Sequence, residues 1–179
     1  MDKIIDKAEQ RDLTGDDLKN ICRGKVEIIP YHTLNEYESI EQLLSKFGAV
    51  ILLYELKENF GHYVALFYNK DNDLEFFDSY GMKPDEELKY ATYNLDNGVP
   101  YLTKLLDKRG KKVVVNTRKF QAFKHEVNTC GRWTSIRILF KEQYSLADFT
   151  KLFSSFKYYS GDFWVSALTF LITENDFLG

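Results

Sequence analysis

Three apolar segments joined by short polar connections constrain this 179-residue chain more than any other feature. Ala49-Val50-Ile51-Leu52-Leu53-Tyr54 is a nearly continuous apolar run, the pattern of a central strand covered on both faces. His62 to Asn69 and Leu74 to Asp78 follow. The Lys70-Asp71-Asn72-Asp73 between them is rich in residues that tolerate left-handed backbone, so the pair predicts a β-hairpin. His62 opens the first strand of that hairpin and Asp78 closes the second, so folding brings both to the same end of the sheet.

Around this hairpin the chain is punctuated as a single unit. Thr14-Gly15-Asp16-Asp17 predicts a helix start and Gly24 a stop, and Val26 to Pro30 reads as a short strand. Ser39-Ile40-Glu41-Gln42 fits a capping box for a helix continued by Leu43, Leu44 and Phe47 and ended by Gly48. Pro84-Asp85-Glu86-Glu87 predicts another helix, with acids at its positive end. Pro100 to Arg109 predicts a further one, stopped by Gly110, and Lys112 to Asn116 a last strand. From Thr129 onward Trp133, Ile136 and Phe140 recur at helical spacing. Ser145-Leu146-Ala147-Asp148 opens a helix through Leu152 and Phe156, and Phe163 to Ile172 is a final apolar helix. Strands early and helices late give an α+β class. With three prolines, ten glycines and no repeats, one domain over residues 1–179 is expected.

At 44% hydrophobic residues the chain has far too much apolar content for disorder, yet no run approaches the ~18 apolar residues of a membrane span. The N-terminus alternates charged and apolar residues without a signal-type core, so an intracellular site is expected. Neither Cys22 nor Cys130 has another cysteine within four positions, and His32, His62 and His125 are scattered. Neither a disulfide framework nor a zinc site, nor any other cofactor, is expected. Net charge is −3, but Lys104 to Lys124 holds eight basic residues against Asp107, a local +7 that leaves −10 for the rest. Such a segment is either a solvated face or a surface for nucleic acid or an acidic partner.

Cys130 precedes Gly131 at the start of a predicted helix, where the helix N-terminus and a neighbouring imidazolium favour a thiolate. His62 is the expected base for its proton, and Asp78 the acid that orients the ring. Gln121 supplies a side-chain NH₂ which, with the Cys130 backbone N–H, would bind a developing oxyanion. His125 is a rival base, but it lies five residues from Cys130 on the same loop and would need a sharp reversal to face it.

The order His, Asp, Gln, Cys and the motifs Gly61-His62-Tyr63, Phe77-Asp78-Ser79-Tyr80-Gly81 and Cys130-Gly131 resemble the adenain-type cysteine proteases. That group comprises the adenovirus maturation protease, related enzymes of large DNA viruses and virophages, and proteases of ubiquitin-like proteins. The resemblance covers roughly positions 26 to 140. Pro84-Asp85, Pro100-Tyr101-Leu102 and Gly131-Arg132-Trp133 are more similar to the viral branch. Two features depart from the family pattern: Tyr63 stands where the family commonly has Trp, and nine positions separate Gln121 from Cys130.

The resemblance implies a mixed, largely antiparallel central sheet packed against a central helix that bears the nucleophilic cysteine, with further helices toward the C-terminus. It implies a monomeric endopeptidase that cuts capsid or core precursors in the virion or the virus factory of the host cytoplasm. A narrow cleft lined by Tyr63 or Trp133 would favour small residues at the cut. The alternatives are a protease acting on ubiquitin-like conjugates and a non-enzymatic nucleic-acid-binding module using Lys104 to Lys124.

Overall fold

The computed structural model describes residues 2–91, 93, 98–124 and 127–175. The fold is α+β. Strands β1 (Glu27–Pro30), β2 (Ala49–Lys57), β3 (Phe60–Tyr68), β4 (Leu74–Phe77) and β5 (Val113–Val115) lie side by side in chain order. The two central pairings are antiparallel and the two outer ones parallel. The expected hairpin is β3–β4, with Tyr68 opposite Leu74 and Ala65 opposite Phe77. Asn69 closes its turn by accepting from the backbone N–H of Asp71 and Asp73, and Asn72 takes the left-handed backbone there.

Helices α1 (Asp2–Gln10), α2 (Gly15–Ile21), α3 (Ile40–Leu43), α4 (Tyr101–Arg109), α5 (Cys130–Leu139), α6 (Leu146–Ser154) and α7 (Gly161–Asn175) cover both faces of the sheet. Alternation along the strands divides the core in two. Ile51, Leu53, Ala65, Phe67 and Phe77 pack with Leu18, Trp133, Ile136, Phe149 and Val165. Val50, Leu52, Val64, Leu66 and Phe76 pack on the other side with Leu34, Ile40, Leu102 and Leu105. The unbroken apolar run of β2 follows from this double burial.

Helix α5 is fixed on its sheet face by a bidentate pair. Arg137 Nε and Nη2 each donate to a Glu75 carboxylate oxygen at 2.8 Å, both side chains are fully buried, and the guanidinium sits 5.2 Å from the rings of Phe67 and Phe149.

Several elements differ from expectation. The segment at Pro84 is a 3₁₀ turn, Glu86–Lys89, preceded by Asp85 in left-handed backbone. The cause is tertiary: the Asp85 carboxylate accepts from the Tyr31 and Tyr54 hydroxyls and from Thr103 N, and so caps α4, whose own N-cap Pro100 has no side-chain cap. Helix α3 is a single turn and α6 ends at Ser154, before Phe156. Helix α1 and a 3₁₀ turn at Tyr31–Glu36 were not anticipated; α1 packs on α7, its partner at the far end of the sequence. In the basic segment, Lys108 donates to the Glu38 carbonyl, Arg109 to the Glu41 carboxylate and Arg118 to the Ser154 hydroxyl.

Candidate active site

The hairpin brings His62 and Asp78 together as its register requires. His62 Nε2 lies 3.0 Å from Asp78 Oδ1. Gly61 lets β3 pair closely with β2 beside His62, because a Cβ there would fall 1.9 Å from the Tyr54 carbonyl oxygen on β2. Asp78 is fully buried and held on three sides. Its N–H donates to Asn116 Oδ1 at 2.8 Å, its carbonyl accepts from Asn116 Nδ2 at 2.7 Å, and its Oδ1 also accepts from Tyr80 N at 2.7 Å. The Tyr80 ring then stacks on the imidazole at 4.8 Å between centroids. Position and plane of the His62 ring are both determined.

Cys130 is the first residue of α5 and is partly exposed. Cys22 is the contrasting case: it is buried, and that burial pushes its thiol up to about 11, so it remains a neutral core residue. Burial by itself would lower the pKa of His62. The hydrogen bond and charge of Asp78, together with the interaction with the Cys130 side chain, outweigh it, and the ring keeps its proton well above the usual imidazole range. Nε2 is committed to Asp78, which leaves Nδ1 as the ring's other nitrogen. Tyr63 also feels this site: burial, then the Cys130 charge, raise its hydroxyl to about 12.

Gln121 is tied to the same turn as Asp78. Its N–H donates to the Ser79 carbonyl at 3.0 Å, its Oε1 accepts from the Ser79 hydroxyl at 2.8 Å, and its Nε2 donates to the Val127 carbonyl at 2.9 Å. One Nε2 hydrogen remains for another acceptor. The loop that carries Gln121 into α5 is anchored by Asp162, which accepts from Ala122 N, from the Thr129 hydroxyl and from Trp133 Nε1. Thr129 spends its hydroxyl on Asp162 and makes no side-chain cap on α5. His125 lies outside the described residues.

Two expectations change with this geometry. Trp133 is fully buried and packs against Phe120 and Phe153, so it cannot line a cleft. Gly131 is also buried, and a Cβ there would meet Leu18 at 2.9 Å and Tyr63 at 3.3 Å. Its smallness lets α5 pack on α2 rather than opening the backbone to a ligand. The opening at Cys130 is a groove of about 20 Å³ bordered by Leu13, Asn59, Phe60, Tyr63 and Asn128.

Three participants escaped the sequence: Asn116, Asp162 and Glu87. Nothing local marks Asn116 or Asp162, because their partners are remote in the chain. Glu87 Oε1 stands 3.6 Å from His62 Nε2. Among the described residues, His62, Asp78 and Glu87 are the one group whose donor atoms gather as metal ligands do, all within 4.8 Å. Within that group the hydrogen-bonded pair is His62 Nε2 and Asp78 Oδ1, at 3.0 Å.

No family model matches the chain. Over 143 residues, 78% of this chain and 82% of the relative, it is 39% identical to the uncharacterized protein V9 of Sputnik virophage. It is similar to the central domain of the uncharacterized Lpg1148 protein from Legionella pneumophila, with a TM-score of 0.40 and 16% identity across 92% of this chain and 99% of that one.

Proposed function

The chain belongs to the family of the Sputnik virophage protein V9, and we propose that it serves its virus as a cysteine endopeptidase. The observation that carries this reading is the single imidazole that meets a buried carboxylate at Nε2 and also interacts with the side chain of a helix-opening cysteine. His62 Nδ1 takes the Cys130 proton, and the imidazolium is held by Asp78. The thiolate attacks a peptide carbonyl carbon. The oxyanion meets the Cys130 N–H, one of the first N–H groups of α5 without an intrahelical acceptor, and the spare hydrogen of Gln121 Nε2. His62 returns the proton to the departing amine, and water hydrolyses the thioester with the same ring as base.

A capsid or core precursor is the proposed substrate, cut in the virus factory or the virion. The narrowness of the groove at Tyr63 and Phe60 supports small residues beside the scissile bond.

Incubation with a co-encoded capsid protein, followed by mass spectrometry of the fragments, tests the proposal. Wild-type protein is expected to release defined fragments. Cys130→Ala should release none while keeping its circular dichroism spectrum. Iodoacetamide at neutral pH should label Cys130 and spare Cys22, and His62→Ala should slow that labelling. Retained cleavage by Cys130→Ala would overturn the assignment, and cleavage of a ubiquitin-like reporter with no action on capsid protein would redirect the substrate.

A further inference from the structure

Two carboxyl groups, not one, face the imidazole nitrogen that the triad uses. Asp78 Oδ1 lies 3.0 Å from His62 Nε2 and Glu87 Oε1 3.6 Å from it, and Glu87 is 6% exposed. The Glu87 backbone is set by its carbonyl, which accepts from Tyr90 N and Ala91 N. Asp78 Oδ2 and Glu87 Oε1 are both fully buried without a hydrogen-bond partner. A buried unpaired carboxylate oxygen is costly, and two carboxylates whose oxygens lie within 4.8 Å of each other repel when both are ionised. A single proton held between the two carboxyls answers both problems. Glu87 then donates its O–H to Asp78, while Asp78 stays a carboxylate that accepts from His62 Nε2 and Tyr80 N.

We propose that Glu87 is a positioning residue of this site: a neutral carboxyl that shares its proton with Asp78 and so holds that carboxylate against the His62 ring. Its catalytic consequence rests on the protease reading; the proton sharing does not. The groups around Glu87 favour its neutral form. Burial raises its pKa most; His62 opposes, and the charges of Asp78 and of Glu86 on its own turn add to the rise. Tyr80, stacked on the imidazole, and Cys130, at the start of α5, are further ionisable groups at the ring. Lys89 on the same turn is drawn to Glu86 at 3.9 Å. A neutral Glu87 leaves Asp78 as the one negative charge behind the ring, so the imidazolium is stabilised without being trapped, and it can still yield its proton to a leaving amine.

The test follows the His62 imidazole by nitrogen and proton NMR from pH 5 to 9 in the Cys130→Ala protein, with Glu87 intact, as Glu87→Gln and as Glu87→Leu. Gln is neutral and still donates, so it should leave the proton affinity of His62 within about threefold of the parent and keep a slowly exchanging Nε2–H signal. Leu donates nothing, so that signal should be lost to exchange with water. In the Cys130 protein, Glu87→Leu should lower kcat about tenfold with KM little changed, and Glu87→Gln should restore most of the loss. A tenfold or larger change in His62 proton affinity in the Gln variant would mean that Glu87 is ionised in the native protein and would overturn the proposal. A Leu variant with an unaltered Nε2–H signal would overturn it equally. If wild-type protein cleaves nothing, the protease reading fails while the NMR arms still decide the shared proton.

Discussion

Asp78 shows how one residue of the motif acquires its role. In the sequence Asp78-Ser79-Tyr80-Gly81 marks a chain reversal, and the structure uses every position of it. Asp78 accepts from Tyr80 N, Ser79 takes both the N–H and the side chain of Gln121, and Tyr80 covers the imidazole. Gly81 adopts φ +74 with its α-carbon against the backbone of Thr117 and Arg118, where any Cβ would collide at 2.9 Å. A local turn signal thus concealed the anchor of Gln121, whose link to the site was legible only as chain order.

The charge on His62 has a consequence for stability. Its folded pKa is raised above the unfolded value of about 6.5. Its contribution is therefore complete below that value and is lost as pH rises through the folded pKa. In the Cys130→Ala background, the melting-temperature advantage of His62 over His62→Gln is expected to be greatest near pH 6 and to shrink toward alkaline pH. A gap that widens with pH would contradict the Asp78 pairing.

At the scale of elements, local pattern and tertiary demand agree in most places and part where a remote group intervenes. The helix start expected at Thr14 forms, and does so through a full capping box, with Asp17 accepting from Thr14 N and Thr14 Oγ1 from Asp17 N. The helix expected at Pro84 does not form, because Asp85 is drawn to Tyr31, Tyr54 and the start of α4. Helix α5 carries a fully buried ion pair, Arg137 with Glu75, and breaking it should be costly. Arg137→Ala strands the Glu75 carboxylate in the core and should lower stability by about 3–5 kcal/mol in urea unfolding. Pairing Arg137→Met with Glu75→Leu should recover most of that loss, since the site is flanked by Phe67 and Phe149 and needs apolar volume more than charge.

Across the whole molecule, the N-terminal helix reaches the candidate site from the opposite end of the chain. Arg132 Nη2 donates to the Ala8 carbonyl, Asn128 N to that of Glu9 and Asn128 Nδ2 to that of Gln10, so α1 holds the residues on either side of Cys130. Deleting residues 2–10 should leave the far-UV spectrum of the sheet largely intact while lowering the rate of the proposed cleavage by roughly 100-fold, the scale of a small misplacement of a reacting group. A truncated protein of full activity would show that α1 acts on the fold alone.

Hydrophobic alternation and turn chemistry, both local properties, were enough to determine the α+β class, the β3–β4 hairpin and the meeting of His62 with Asp78. The neighbours of that pair are another matter. Asn116, Asp162 and Glu87 act through hydrogen bonds or charges between residues far apart in the chain, and such contacts leave no period and no motif. Only packing in three dimensions decides which buried polar groups must satisfy one another, and that is why the tertiary structure, not the sequence, placed a second carboxyl behind the imidazole.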